Sequence, residues 1–387
     1  EEMARVNMKE HTGKKNVRLL EEDLDMVSLA LARRDDVLLL HKEPSRQHLK
    51  NIRAWGFPMP QCVVMGDSSE LEERRVGGVR PWAWQQKASD ALEPFSHNMS
   101  ENVEASWRAE SPSLWMSKEF GYELEKMLGD PVGEWCTSID EVESYVDGAV
   151  GDVLMKAAYS NAGRGHCRLL GAEWTKSSRG WLRRVLKEHG GVLVEPWLER
   201  VLDFSSQYEM GSNGELKQRG MTRVINDDLG RFRGSLVLPK WSQGLDEELS
   251  SFLFKDCQVH HFYRHRLVEA LGELLADSGY VGALGVDAMV FRDAGGSLVF
   301  RPVVELNLRH TMGRVALELL KKTAPGLGGH YEILRKSQMT EPMKFGPEVD
   351  AAEKRGLTAG VYVLNDPELA VEFLAVYRVA KPSSFEF

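Results

Sequence analysis

Four cysteines in 387 residues, Cys62, Cys136, Cys167 and Cys257, are too few and too scattered for a disulfide framework. No two form a CxxC pair, which leaves no zinc motif and suits a reducing, cytoplasmic setting. No apolar run approaches the roughly 20 residues of a membrane helix, and none near the N-terminus resembles a signal peptide. Positive charge is in deficit: 49 Lys and Arg against 58 Asp and Glu leave a formal −9, which argues against a general nucleic-acid binder. Local basic pairs such as Arg183-Arg184 read as solvated helix faces. There is no GxxxxGK[ST], no complete GxGxxG after a strand, no GxSxG and no internal repeat. A P-loop, a Rossmann site and a serine nucleophile are therefore not indicated.

The rest of the composition, 42% hydrophobic and 28% charged, is that of an ordinary globular protein. A chain of this length exceeds what one core usually serves, so two or three subdomains are expected. Residues 1–16 are polar and expected to fray. Asp36-Val-Leu-Leu-Leu-His41, a helix from Pro44 to Trp55 ended by Gly56, and Met59 to Met65 read as strand, helix, strand. That is the opening of a parallel α/β layer. Gly66 to Glu110 gives no assignable pattern. Ser111-Pro112-Ser113 is expected to start a helix that carries Lys118 and repeats apolar residues at Phe120, Leu124 and Leu128 before Gly129. Thr137-Ser-Ile-Asp-Glu141 has the capping pattern of another helix.

Asp152-Val-Leu-Met-Lys156 leads through Ser160-Asn-Ala-Gly163-Arg164-Gly165 into a second strand ending at Leu170. Backbone amides in such a glycine turn can wrap a phosphate, with Lys156 supplying positive charge. A glycine turn alone more often marks a hairpin tip. After a helix from about Trp174 to His189, the buried strand Gly191-Val-Leu-Val-Glu195 breaks at Pro196-Trp-Leu198 and resumes as a strand through Glu199 and Asp203. Such a link offers backbone groups to an adenine edge and carboxylates to a ribose. Met221 to Ile225 and Phe232 to Leu238 read as strands around a turn at Asn226-Asp-Asp-Leu-Gly230, and Leu245 to Ser278 as largely helical. His261 and His265 have the i, i+4 spacing of a zinc pair, but without HExxH the solvated-face reading is favoured.

The stretch richest in chemistry is Phe300-Arg-Pro-Val-Val-Glu305-Leu-Asn307-Leu-Arg309. At strand spacing Glu305, Asn307 and Arg309 share one face, while Val304, Leu306 and Leu308 point into a core. Hard cations take oxygen ligands and commonly share them with phosphates, and a guanidinium beside such a cation suits a carboxylate or a phosphorylated intermediate. Gly285-Val-Asp287-Ala-Met-Val-Phe291 is a second strand, and a hairpin centred near Gly296 would set Asp287 opposite Glu305. The three oxygens would then make a two-metal phosphoryl site. The plainer alternative is the wet side of an ordinary hairpin. In the last segment Ala359 to Leu364 reads as a strand and Pro367 to Val376 as a helix, together a covering element.

Four landmarks in this order, a lysine-bearing helix, a strand lysine with its glycine loop, the V-x-V-E-P-W-L hinge and the Asp…Glu-x-Asn-x-Arg set, make residues 111–320 resemble the ATP-grasp superfamily of ATP-dependent ligases. The resemblance implies an α+β ATP-grasp fold with an N-terminal α/β pre-ATP-grasp subdomain. Its divisions would be residues 1–110, a small lid subdomain over 111–198, a large metal-bearing subdomain over 199–345 and a covering segment over 346–387. ATP would lie between two antiparallel sheets, with Lys118 and Lys156 on its phosphates and the loop Ser160, Gly163, Arg164, Gly165 closed over them. Backbone atoms around Glu195 and Leu198 would read adenine, and Glu199 or Asp203 would hold the ribose. Asp287, Glu305 and Asn307 would coordinate Mg²⁺ (or Mn²⁺), and Arg309 would stabilise an acyl phosphate. The connection between Asp287 and Glu305 is longer than in D-alanine–D-alanine ligase or biotin carboxylase.

The activity so implied is a carboxylate–amine ligase joining a small carboxylate to an amine on an amino acid or peptide. Neither nucleic acid nor membrane is expected as a partner, and dimers are common among similar enzymes. The alternatives are a small-molecule kinase on the same scaffold and a nucleotide-binding module without catalysis. Arg309 favours the ligase over the kinase, and an intact Glu305/Asn307/Arg309 set speaks against the mere binder. Trp82, Trp84, Arg223 and Arg233 are conceivable substrate contacts, with core or surface roles favoured.

Overall fold

The computed structural model describes residues 15–66, 71, 77–92, 116–129, 131–160, 165–228, 230–339 and 356–385. Helix α1 (Lys15–Leu24) precedes β1 (Val37–Leu40), which pairs in parallel with β2 (Gln61–Val64). Between them runs α2 (Arg46–Ala54), capped where Ser45 Oγ accepts from the His48 amide. The parallel α/β opening is thus present. A short helix, α3 (Gln86–Leu92), follows in the stretch without a sequence pattern.

Helix α4 (Lys118–Leu128) begins later than expected. Ser117 is its N-cap, its hydroxyl accepting from the Glu119 amide, so Lys118 is the first helical residue. The expected start at Ser111–Ser113 lies outside the described residues. Helix α5 (Ile139–Gly148) has the reciprocal cap that the sequence predicts, between Ser138 and Glu141. With α6 (Lys176–His189) it covers a four-stranded antiparallel sheet of order β3 (Glu134–Cys136), β6 (Val192–Pro196), β4 (Val153–Ala157), β5 (His166–Leu169). Val142, Val146, Met155, Leu182, Val185 and Val194 close that core.

The second sheet has eight antiparallel strands. They are β7 (Glu199–Met210), β8 (Leu216–Asn226), β9 (Phe232–Val237), β10 (Gly282–Arg292), β11 (Leu298–Asn307), β12 (Gly328–Arg335), β13 (Gly360–Val363) and β14 (Phe373–Ala380), in the order β11-β10-β7-β8-β9-β12-β14-β13. Phe204, Tyr208, Val286 and Val290 pack against the helical residues 247–275, including α7 (Leu267–Leu275). Helix α8 (Met312–Lys321) packs with the N-terminal unit around Val237, Tyr331 and Tyr377.

The C-terminal segment departs from expectation. Phe373–Ala380 is a strand where Pro367 to Val376 reads as a helix, and it lies between β12 and β13 inside the sheet. Its run of buried side chains shows no alternation because both faces are covered. Asp23 fixes its entry by accepting from the amides of Val371, Glu372 and Phe373 at 2.7–2.8 Å. All four cysteines are free. No described helix is long and apolar enough to cross a membrane.

Candidate active site

Strands β10 and β11 pair Asp287 directly with Glu305, and Gly285 with Asn307. The turn itself is centred one position earlier than the sequence suggests, since Arg292 pairs with Leu298 and Met289 with Arg301. A bulge restores the register: only Ala288 separates Asp287 from Met289, whereas residues 302–304 separate Arg301 from Glu305. Pro302, which has no amide hydrogen to give the ladder, sits in that bulge. The bulge also corrects the expected core side: Val303, rather than Val304, joins Leu306 and Leu308 in the core.

Two strong neighbours shape these groups. Asn307 Nδ2 donates to Asp287 Oδ2 at 3.1 Å, and Arg309 donates to Asn307 Oδ1. Lys118, held at the start of α4, lies 3.0 Å from Glu305 Oε1 and donates to the Ser160 carbonyl at 3.0 Å. Helix α4 approaches this strand closely through Gly121, where a Cβ would fall 3.2 Å from the Leu306 nitrogen. Burial, then the charge of Glu305, push Asp287 up to about 6. Glu305 is held below the ordinary carboxylate range: burial opposes ionisation, but Lys118 and Arg309 outweigh it. Its side chain keeps 26% of its surface open.

The donor set suits a hard divalent cation. It consists of two carboxylates and one amide oxygen, and among the described residues no three His, Cys, Asp or Glu side chains form a closed metal cage. Mg²⁺ is typically held in this way, by one or two carboxylates with the remaining positions taken by water and substrate phosphate. The like charges of Asp287 and Glu305 are what such a cation would relieve.

The other expected residues fall in two groups. Lys156 is buried and ion-paired with Glu195, whose other oxygen lies 3.0 Å from Arg301 Nη1. Burial alone would raise Glu195, but Arg301 and Lys156 bring it down to about 2. Burial lowers Lys156, with Glu195 opposing. The Glu195 side chain therefore faces a charge cluster. Trp197 and Leu198 form the link between the two sheets, with the Trp197 amide donating to the Asp152 carbonyl at 2.8 Å. Glu199 is exposed, whereas Asp203 accepts from Asn226 at 2.9 Å and from Arg200.

Ser160 is buried, its hydroxyl donating to the Ala157 carbonyl, and Gly165 closes the loop at φ +70°. Gly163 and Arg164 lie outside the described residues. Trp84 and Arg223 are buried, Arg223 donating to the Trp241 and Gln243 carbonyls, and Arg233 is a surface residue near Asp227. His261 and His265 are exposed neighbours with ring centroids 4.6 Å apart.

The sequence reading missed Arg301 and Glu125. Arg301 lies on the same sheet face as Glu305 and makes a bidentate pair with Glu125 of α4, at 2.8 and 3.0 Å. The signal was an arginine inside the apolar run Leu298–Val304, a position that demands a buried partner. Also missed was a basic cluster beyond Arg309. Glu209 of β7 lies 2.8 Å from Arg314, 3.5 Å from Arg219 and 3.8 Å from Arg80.

Two antiparallel sheets joined at a strand break, with an oxygen-and-arginine strand at the edge of the larger, make this an ATP-grasp fold. Biotin carboxylase from Campylobacter jejuni, solved as a β-γ-ATP complex, superposes with a TM-score of 0.52 at 15% identity, over 91% of this chain and 88% of that one. The biotin carboxylase domain of Hydrogenobacter thermophilus 2-oxoglutarate carboxylase, a dimer solved with MgADP and bicarbonate, gives 0.53 at 13% identity, over 89% and 85%. A curated relative, the [butirosin acyl-carrier protein]–L-glutamate ligase of Niallia circulans, is 21% identical over 305 residues. That match covers 76% of this chain and spans 65% of the relative's length. No family model matches the sequence.

Proposed function

We propose that this protein is an ATP- and Mg²⁺-dependent ligase that activates a substrate carboxylate as an acyl phosphate for attack by an amine. The observation that carries this reading is the alignment of Asp287, Glu305, Asn307 and Arg309 on one face, beside Lys118, in an ATP-grasp fold. Carboxylate and triphosphate are both anions, so positive charge must offset their repulsion before they can meet. Mg²⁺, held by Asp287, Glu305 and Asn307, would neutralise the phosphates and orient them. Lys118 and Lys156 add the ammonium charges, and Arg309 faces the carboxylate being activated. A carboxylate oxygen attacks the γ-phosphorus and ADP leaves. The amine then attacks the carbonyl carbon, phosphate leaves with the C–O electrons, and the nitrogen loses a proton. Closure of the Ser160–Gly165 loop over the phosphates would keep water from the acyl phosphate.

The finer reading concerns the acid. One side-chain step along β7 from Gln207, and so beyond the Gly285–Asn307 row, Glu209 is ringed by Arg80, Arg219 and Arg314. Three guanidiniums meet two carboxylates here, Glu209 and, on Arg314, Glu318, and leave an excess of positive charge that suits a substrate with a second carboxylate. The relative named for L-glutamate points to the same class. L-Glutamate is accordingly the first acid to test.

A product assay decides the reading. A ligase releases ADP and phosphate when acid and amine are both present. Transfer to a hydroxyl releases ADP with no free phosphate, and a binder releases neither. Phosphotransfer without phosphate release would overturn the ligase.

A further inference from the structure

We infer that Arg301 is a positioning residue, which holds Glu195 and through it the Lys156 ammonium at the junction of the two sheets. The inference rests on the ligase reading in one respect, that Lys156 serves the ATP phosphates.

The four charges form one chain of contacts across four elements. Arg301 stands on β11 of the large sheet and is 1% exposed. Its Nε and Nη2 donate to both oxygens of Glu125 on α4, at 2.8 and 3.0 Å. Its Nη1 lies 3.0 Å from Glu195 Oε2 on β6 of the small sheet, and the other oxygen of Glu195 pairs with Lys156 on β4. Two positive and two negative charges sum to zero, which is what permits their burial together.

A guanidinium is suited to this place because its rigid fork donates to both oxygens of Glu125 while its third nitrogen, Nη1, faces Glu195 Oε2 as an ion pair rather than a hydrogen bond. An ammonium supplies the charge without that geometry. Arg301 and Glu305 belong to one strand and share a face, so a single piece of backbone sets both a proposed metal ligand and the clamp on Lys156. Removing Arg301 alone would strand Glu125 and leave the buried set with a net negative charge. Its loss would also free Glu195 to turn, carrying Lys156 with it.

The test uses the full chain with the paired replacement Arg301→Met/Glu125→Gln, which deletes one charge of each sign, and the single replacement Arg301→Lys. Three quantities are read: melting temperature, calorimetric binding of a non-hydrolysable ATP analogue with Mg²⁺, and hydrogen exchange of the β4 and β6 amides. The paired variant is expected to fold, to bind the analogue about 10- to 100-fold more weakly, and to exchange faster in β4 and β6 but not in β10. Arg301→Lys is expected to fold and to show the same binding loss. Wild-type affinity and exchange in either folded variant would overturn the inference, leaving Arg301 as a neutraliser of buried carboxylates. Failure of the wild type to bind the analogue would count against the proposed function instead, and exchange in β4 and β6 would still judge the clamp.

Discussion

Asp287 stands directly across an antiparallel pair from Glu305, with both side chains on the same face of the sheet. Two carboxylates about 5 Å apart repel by roughly 3 kcal/mol at an effective dielectric near 20. Lys118 offsets part of this for Glu305, while Asp287 is raised to about 6, first by burial and then by the charge of Glu305. A divalent cation would turn the repulsion into attraction. Glu305→Gln is therefore expected to reduce turnover by at least about 100-fold while the fold is kept. Steady-state ADP release and a thermal melt check it. Turnover near wild type would remove these residues from the reaction.

Gly165 is constrained twice. Its φ of +70° disfavours other residues, and a Cβ there would lie 2.7 Å from the Ser160 Cβ. Gly171 has a similar φ of +57° with nothing within 4 Å, so it shows the effect of backbone strain alone. Gly165→Ala should cost on the order of 1–3 kcal/mol and raise the KM for ATP, because it displaces the loop that ends β4. Gly171→Ala should lower the melting temperature slightly and leave that KM unchanged. Equal KM values for the two variants would mean that the loop does not touch the nucleotide.

Local signals and long-range contacts were not equally legible in the sequence. The Ser138–Glu141 cap, the strand break at Pro196 and the pairing of Asp287 with Glu305 are written in short stretches whose chemistry acts over a few residues. The strand Phe373–Ala380 was misread because its neighbours are β12 and β13, and its start is set by Asp23, some 350 positions away. Arg301 escaped for the same reason. Its partners Glu125 and Glu195 come from two other elements, and only the fold brings them together.

Burial, and then the nearby Arg314, depress His310 to about 4. The unfolded chain takes up that proton near pH 6.5, the folded protein only near pH 4. Between these values the unfolded state binds more protons, so stability falls as pH falls, by up to about 1.4 kcal/mol per pH unit. The contribution is complete above pH 6.5 and gone below pH 4. Denaturant titrations across this window should show the slope in the wild type, and His310→Gln should flatten it. An unchanged slope in that variant would assign the pH dependence to other groups.

Arg314 joins Glu209 at 2.8 Å and Glu318 at 3.0 Å, and its Nη1 is buried without a hydrogen-bond partner. Under the proposed function, a turn of the Arg314 side chain would present that unused donor to a second substrate carboxylate. In Arg314→Met, Glu209 keeps Arg80 and Arg219, and Glu318 keeps Lys321, so no carboxylate is stranded. A charged hydrogen bond contributes about 1.5–3 kcal/mol, so the KM for L-glutamate should rise roughly 10- to 100-fold, with little change for ATP. L-Glutamine, which lacks the second charge, should be a poor substrate for the wild type and be little affected by the replacement. If Arg314→Met raised the KM for ATP as much as that for the acid, the cluster would serve the fold rather than the substrate.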